Sequence, residues 1–159
     1  KASGINFIDT AEMYPVPPRA ETYSKTEQII GSYFKRHGDR ADWILASKIA
    51  GPGNGISHIR DGQLKHNRQH IVAALDASLK RLQTDWIDLY QLHWPERSTN
   101  FFGQLDYKHK DVEFTPLEET LEVLDEQVKA GISEDPGQID DDDEVDLDDL
   151  SFDDEDDDN

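Results

Sequence analysis

The sequence predicts an α/β fold built on a parallel β-sheet, because three short apolar segments alternate along it with three segments of helical periodicity. The apolar segments lie at residues 5–11, 42–49 and 87–94, and the helical segments lie at residues 24–38, 67–83 and 115–131. In such an order each strand is joined to the next parallel strand by a right-handed crossover that contains the helix. A doubly wound sheet and a (β/α) barrel both satisfy this order of elements.

The three predicted strands read "INFIDTA", "DWILASKI" and "IDLYQLHW". Each is nearly continuous in apolar residues, which is typical of strands that are covered on both faces, as in parallel sheets. No G-x-G-x-x-G motif follows the first strand. Its absence disfavours a dinucleotide-binding doubly wound sheet without excluding one.

The first two predicted helices carry signals at their ends. Ser24 followed by Glu27 predicts a capping box at the start of the first helix, and Gly38 predicts its end. Asn67 is the predicted N-cap of the second helix. The buried face of the second helix is expected to contain Ile71, Ala74, Leu75, Ser78, Leu79 and Leu82.

The third predicted helix follows a long irregular segment, residues 95–114. Loops of that length in compact domains are usually functional or disordered. Thr115 is the predicted N-cap of the helix, and Pro116 the first helical residue. Its buried stripe is expected to consist of Leu117, Leu121, Leu124 and Val128.

The acidic residues are concentrated at the C-terminal end of this 159-residue chain, whose net charge is −19. Residues 133–159 contain 16 of the 35 Asp and Glu residues and no Lys or Arg. The sequence therefore predicts a folded domain over residues 1–132 and a disordered acidic tail over residues 133–159. The negative charge argues against binding to nucleic acids or anionic membranes. The chain contains no Cys, which excludes disulfides and fits a cytoplasmic protein best.

Ionisable residues lie at the carboxyl end of each predicted strand, where parallel α/β folds build their sites. Asp9 and Tyr14 follow the first strand, Lys48 ends the second, and His93 ends the third. A Lys ammonium near a Tyr stabilises the phenolate, a carboxylate keeps the Lys charged and oriented, and a His hydrogen-bonds a carbonyl oxygen. Together these groups would protonate the alkoxide that forms when hydride reaches a carbonyl carbon. A structural ion pair is the commoner role for Lys48 or His93 alone, but packing explains four such residues less well.

The motifs that carry these residues, "GINFIDTAEMY", "ILASKI" and "DLYQLHWP", resemble those of the aldo-keto reductase superfamily. In detail they resemble its bacterial Tas-type subgroup, through "DTAEMYPVPP" and "SLKRLQTDWIDLYQLHWPERSTNFFG". The resemblance covers about residues 3–131. It implies a (β/α)8 barrel, here present as about three βα units, strands 2–4 of the barrel, followed by the acidic tail. It also implies reduction of aldehydes and ketones with NADP(H) and without a metal.

Carried over by position, the resemblance assigns a role to each residue of the site. It makes Tyr14 the proton donor, Lys48 the group that stabilises its phenolate, and Asp9 the partner of Lys48 and part of the cofactor site. It makes His93 the residue that orients the substrate carbonyl. Trp94 is expected either to line the substrate pocket or to hold the loop that follows it.

The resemblance also leads us to expect a truncated reductase. The family barrel has eight strands and this sequence offers three, and the segments that hold most of the cofactor are not among the residues that match. Weak or no activity of the chain alone is the resulting expectation, and the open strand edges would favour association. The alternative is a non-catalytic fragment whose acidic tail binds a basic protein partner.

Two further motifs carry weaker signals. His66 and His70 have the i, i+4 spacing of metal ligands on a helix, but a solvated helix start explains them better. The glycines of "GPGNG", residues 51–55, predict a loop at the mouth of the site rather than a phosphate-binding loop.

Overall fold

A computed structural model describes residues 3–53, 56–100, 105–107, 109 and 111–132. The strands are β1 (Phe7–Asp9), β2 (Ile44–Ile49) and β3 (Leu89–Leu92), and the helices are α1 (Lys25–His37), α2 (Arg68–Leu82) and α3 (Leu117–Lys129). Short 3-10 helices cover Arg40–Asp42 and Arg60–Gly62. The predicted alternation of strands and helices is confirmed. The predicted tail, residues 133–159, lies outside the described residues.

The three strands form one parallel sheet in the order β1-β2-β3. In its register Asp9 lies beside Ala46, and Lys48 lies beside Gln91. The three helices pack on the same face of this sheet, with α2 between α1 and α3. Consecutive neighbouring strands with all helices on one face form an arc of a (β/α) barrel, whereas a doubly wound sheet carries helices on both faces.

The hydrophobic core lies between the sheet and the helices. Leu45 of β2 packs with Phe34 of α1 and Leu75 of α2, and Ile49 of β2 packs with Ile71 of α2 and with α3. Each fully buried side chain of this size contributes about 1.5–3 kcal/mol to folding. The predicted buried face of α2 is confirmed at its fully buried positions, which are Ile71, Ala74, Leu75, Ser78 and Leu82.

Helices α1 and α2 approach each other closely at Gly31. A Cβ at this position would lie 2.2 Å from the carbonyl oxygen of Arg81 and 2.7 Å from the carbonyl carbon of Leu82. Backbone atoms cannot rotate away as a side chain can, so the position requires a residue without a side chain. The absence of a side chain at Gly31 therefore allows α1 and α2 to pack this closely.

The face of the sheet opposite the helices carries every second residue of each strand. On it Phe7 and Ile44, side by side near the amino ends of β1 and β2, are 48% and 42% exposed. Asp9, Lys48 and Gln91 lie toward the carboxyl ends and contact one another. We call this surface the front face, and the helix-covered surface the back face.

Two predicted helix ends are confirmed. Asn67 caps α2, with its side-chain oxygen 3.0 Å from the backbone nitrogen of His70. Gly38 ends α1 with a left-handed backbone, φ 64°, and its N–H donates to the carbonyl of Phe34. Such a conformation costs Gly less than any other residue.

The capping box predicted at Ser24 and Glu27 was wrong. Ser24 makes no side-chain cap, and its backbone is left-handed with φ 57°. Glu27 is instead fully buried, where Arg81 and Ser47 donate hydrogen bonds to its carboxylate. The Glu27 carboxylate thus forms a tertiary ion pair with Arg81, whereas the local sequence pattern predicted that it would cap the helix.

The predicted start of α3 was also wrong, and its predicted buried stripe was only partly right, because Leu124 packs against the core cluster that contains Ile71 and Val123. The helix begins at Leu117 with Pro116 as its N-cap residue, one position later than predicted. Thr120 and Val123 are its buried residues, whereas Leu117 and Leu121 are 62% and 54% exposed. Thr120 faces the core because its hydroxyl donates to the carbonyl of His66 at 2.9 Å, a long-range bond that helical periodicity does not reveal.

Candidate active site

A Lys–Asp ion pair lies on the front face at the carboxyl ends of β1 and β2. The ammonium of Lys48 lies 2.7 Å from each carboxylate oxygen of Asp9 and 2.8 Å from the carbonyl oxygen of Thr10. These three bonds use all three N–H groups of the ammonium. The Lys48 side chain is 12% exposed and that of Asp9 is 48% exposed, so the pair is open to the front face.

Tyr14 and His93 lie next to this pair. The Lys48 ammonium is 5.4 Å from the centroid of the Tyr14 ring. The rings of Tyr14 and His93 make an edge-to-face contact with their centroids 5.7 Å apart. All four residues predicted from the strand ends, which are Asp9, Tyr14, Lys48 and His93, are therefore brought together. The N–H groups of Lys48 are engaged by Asp9 and Thr10, so the contact of the ammonium with Tyr14 is with the face of its ring.

The surroundings of His93 favour its neutral imidazole over the charged form. Burial lowers the pKa of His93 below its ordinary value of 6.5, and the Lys48 ammonium lowers it further, while Asp9 and Glu12 oppose both effects. Its backbone N–H donates to the carbonyl of Ile49 at 3.0 Å, which anchors the residue to the end of β2. The ring atom Nδ1 is buried and has no hydrogen-bond partner among the described residues. A neutral ring keeps both a donor and an acceptor.

A cleft of about 1060 Å³ opens beside Tyr14 and His93. Most of its walls are apolar, and its lining residues include Met13, Pro18, Ile56, Leu64, Trp94 and Phe114. Trp94 is only 7% exposed, and its indole N–H donates to the carbonyl of Pro52 at 2.7 Å. Trp94 thus lines the cleft and also holds the loop that begins at Gly51. In the predicted irregular segment 95–114, the described residues form no helix or strand.

Residues that the sequence analysis missed complete the surroundings. Gln91, a residue of β3, donates a hydrogen bond of 3.4 Å to the Asp9 carboxylate. Gln91 lies two residues before His93, and this spacing in the sequence already indicated that both side chains lie on the front face. Glu12 is 1% exposed, and Ala11 and Met13 on either side of it are buried. A lone acid inside a buried apolar run was a second available signal. Its partner Arg60 lies far along the chain, and the local sequence does not indicate it.

The expectation of a solvated helix start at His66 was wrong. His66 is 2% exposed and precedes the cap of α2, and Glu96 accepts its backbone N–H at 2.5 Å. Burial lowers the pKa of both His66 and His70. Among the described residues, no group of three or more His, Asp or Glu side chains is placed to hold a metal ion. None of the helices in the described part of the chain has the length and apolarity needed to cross a bilayer.

The arrangement of a partial (β/α) barrel with an Asp, Tyr, Lys and His site defines the class of protein, and the comparison with known families agrees. The family model "Aldo/keto reductase family" matches residues 2–135. The chain belongs to the aldo/keto reductase family.

Particular relatives are similar over most of this chain. Protein tas of Escherichia coli strain K12 is 51% identical over 132 residues, which are 82% of this chain and 38% of that protein. Aldo-keto reductase YhdN of Bacillus subtilis strain 168 is 38% identical over 129 residues, 80% of this chain and 30% of that protein. The chain thus spans about two fifths or less of the length of these relatives.

Solved structures support the fold. A thermostable aldo-keto reductase crystallised with the inhibitor epalrestat matches with a TM-score of 0.55 and 31% identity, over 83% of this chain and 35% of that one. An aldo/keto reductase from Klebsiella pneumoniae, in complex with NADP and acetate, matches with a TM-score of 0.54 and 28% identity, over 83% of this chain and 33% of that one. The prediction of a partial (β/α)8 barrel is confirmed.

Proposed function

We propose that this chain carries the proton-donating site of an NADP(H)-dependent reductase of aldehydes and ketones. The observation that carries the proposal is the contact of Tyr14 with Lys48 on one side and His93 on the other, at the end of an apolar cleft. An apolar cleft with a few convergent polar groups suits a small carbonyl compound. The family membership of the chain supports the same chemistry.

Each residue has a separate task in this proposal. The Tyr14 hydroxyl donates its proton to the carbonyl oxygen as negative charge develops there. Lys48, held by Asp9 and by the Thr10 carbonyl, stabilises the phenolate that remains. The neutral His93 ring donates a hydrogen bond to the same carbonyl oxygen and so orients the substrate. Trp94 forms a wall of the cleft that excludes water.

The described residues fit the reacting end of a reduced nicotinamide cofactor, which when bound supplies the hydride. The Asp9 carboxylate is half exposed on the front face beside Gln91, where an amide or a ribose hydroxyl can be hydrogen-bonded. The arginines Arg40, Arg60 and Arg81 are each paired with a carboxylate. These three therefore do not serve the phosphates of a dinucleotide.

The proposal is tested with Tyr14→Phe. We expect NADPH consumption with aldehyde and ketone substrates to fall about 10²–10⁴-fold in kcat, the usual contribution of a general acid. A fluorescence titration with NADPH should give the same affinity for both proteins, because the hydroxyl acts on the substrate. Tyr33→Phe, an exposed tyrosine on α1, is the matched control. The proposal would be contradicted if NADPH turnover survived Tyr14→Phe. It would also be contradicted if the parent chain did not bind NADPH saturably.

A second candidate function follows from the composition of residues 133–159, which carry 16 acidic residues and no basic ones. We infer that this tail binds a basic protein, in the cytoplasm as the lack of Cys suggests. A chain ending at residue 132 should lose salt-sensitive binding to immobilised polylysine, whereas Tyr14→Phe should keep it. Equal binding by the shortened and full chains would exclude this function.

A further inference from the structure

Glu12 lies between Asp9 and Tyr14 in sequence, but its side chain is buried rather than placed on the front face. It is 1% exposed. Its carboxylate accepts the backbone N–H of Ala50 at 2.9 Å, and its own backbone N–H donates to the carbonyl of Lys48 at 3.0 Å. Glu12 therefore connects the loop that carries Tyr14 to the strand end that carries Lys48.

Arg60 completes this connection from a third segment. Its guanidinium pairs with the Glu12 carboxylate and donates a second bond, of 3.0 Å, to the carbonyl of Ala50. Its backbone is left-handed, φ 44°, and Asp61 and Gly62 also have positive φ, 55° and 74°. A left-handed backbone at two successive non-glycine residues costs conformational free energy, and it persists only where the surrounding structure fixes it. The residues that follow, from Gly62 to Lys65, line the cleft.

We propose that Glu12 and Arg60 are positioning residues that hold Tyr14, Lys48 and the Gly62–Lys65 wall of the cleft at fixed distances from one another. The argument is geometric. Glu12 and Ala50 are each two residues from the residue that they position, and both backbone polar groups of Ala50 are bound by this pair. The role in catalysis rests on the proposed function, whereas the positioning of Tyr14 does not.

The buried pair Glu27–Arg81 provides a matched comparison. Glu27 is as completely buried as Glu12, and Arg81 and Ser47 donate to it at 2.6 Å each. This pair joins α1, α2 and the back face of β2, and the guanidinium of Arg81 also lies over the Tyr23 ring, 5.6 Å from its centroid. Among the described residues, neither Glu27 nor Arg81 hydrogen-bonds Tyr14 or Lys48. If every buried ion pair affected the position of Tyr14, substitutions in either pair would displace the Tyr14 ring.

The test measures the Tyr14–His93 ring contact by NMR in the full-length chain, with isotope-labelled Tyr and His rings. Cross-relaxation between these rings is expected because their centroids are 5.7 Å apart, and Tyr14→Phe assigns the signal. The stacked rings of Tyr33 and His37, 4.2 Å apart on α1, give an internal reference. We expect Glu12→Gln and Arg60→Lys to lose the Tyr14–His93 signal while the reference remains. Glu27→Gln should keep both signals.

Retention of the Tyr14–His93 signal in both Glu12→Gln and Arg60→Lys would overturn the proposal, and so would its loss in Glu27→Gln. Should Glu12→Gln fail to fold, Arg60→Lys decides, because the lysine keeps a positive charge beside Glu12 but lacks the planar guanidinium whose two nitrogens bind Glu12 and the Ala50 carbonyl. The measurement requires only a folded chain. NADPH turnover that Tyr14→Phe leaves unchanged would refute the proposed function and leave this result intact.

Discussion

Substitution of Arg81 by Met should destabilise the fold strongly, because it leaves the carboxylate of Glu27 buried without its counter-ion. The Glu27 side chain is 0% exposed, that of Arg81 is 15% exposed, and the two are joined at 2.6 Å. After the substitution, the hydroxyl of Ser47 is the one side chain of the described residues that still donates to Glu27. Removal of one partner of a buried pair costs about 3–5 kcal/mol. That is a large part of the roughly 5–15 kcal/mol by which a domain is stable.

Urea denaturation followed by far-UV circular dichroism measures this cost. The double variant Glu27→Met with Arg81→Met should recover most of the loss, because two apolar side chains replace both buried charges. Arg68→Met is the control: Arg68 and Glu126 are 54% and 50% exposed, so loss of their solvent-screened pair should change the free energy of unfolding little. The reasoning fails if Arg81→Met costs no more than Arg68→Met, or if the double variant is less stable than Arg81→Met.

Three further outcomes are expected. Asn67→Ala should cost about 1 kcal/mol in the same urea assay, since the His70 N–H loses its side-chain acceptor, and an unchanged midpoint would contradict this. Gly31→Ala should cost about 1–3 kcal/mol, because its Cβ meets the Arg81 carbonyl; Ser32→Ala, exposed on the same helix, is the control and should differ little. Burial lowers the pKa of His93 in the folded state. The unfolded chain therefore binds more protons than the folded chain, and the free energy of unfolding should fall as the pH drops below about 6.5. His93→Gln should reduce that fall. An identical pH dependence of stability in the parent and the variant would refute this prediction.

The order of elements and the proximity of the four candidate residues, which are Asp9, Tyr14, Lys48 and His93, were predictable because each depends on local patterns. Apolar runs mark β1, β2 and β3, and in a parallel sheet the ends of those runs meet at one edge. The capping residue Asn67 and the terminal Gly38 act within a few residues of themselves. A single sequence carries this kind of information directly.

The remaining features depend on contacts between distant segments. Glu27 has the spacing of a capping residue, yet it pairs with Arg81, 54 residues away. Arg60 reaches Glu12 across 48 residues, and Thr120 reaches His66 across 54. Local spacing predicts what such side chains can do in isolation. The fold decides which partner they meet, and a buried partner takes precedence over an exposed helix end because an unpaired buried charge costs more.

The alternation of side-chain direction along β2 explains why an exposed ion pair and a buried ion pair both contact this strand. Lys48 points to the front face and Ser47 to the back face, so neighbouring residues serve different layers. On the back face the acid Glu27 is fully buried, and its charge is balanced by structural partners. On the front face Asp9 stays 48% exposed, so the Lys48 charge beside Tyr14 is held in place without being sealed from a ligand. Glu12 belongs to neither group, because its buried side chain acts on the backbone that carries the front-face residues. For the two pairs that meet β2, the exposure of the acid therefore separates the pair that is open to a ligand from the pair that is enclosed in the scaffold.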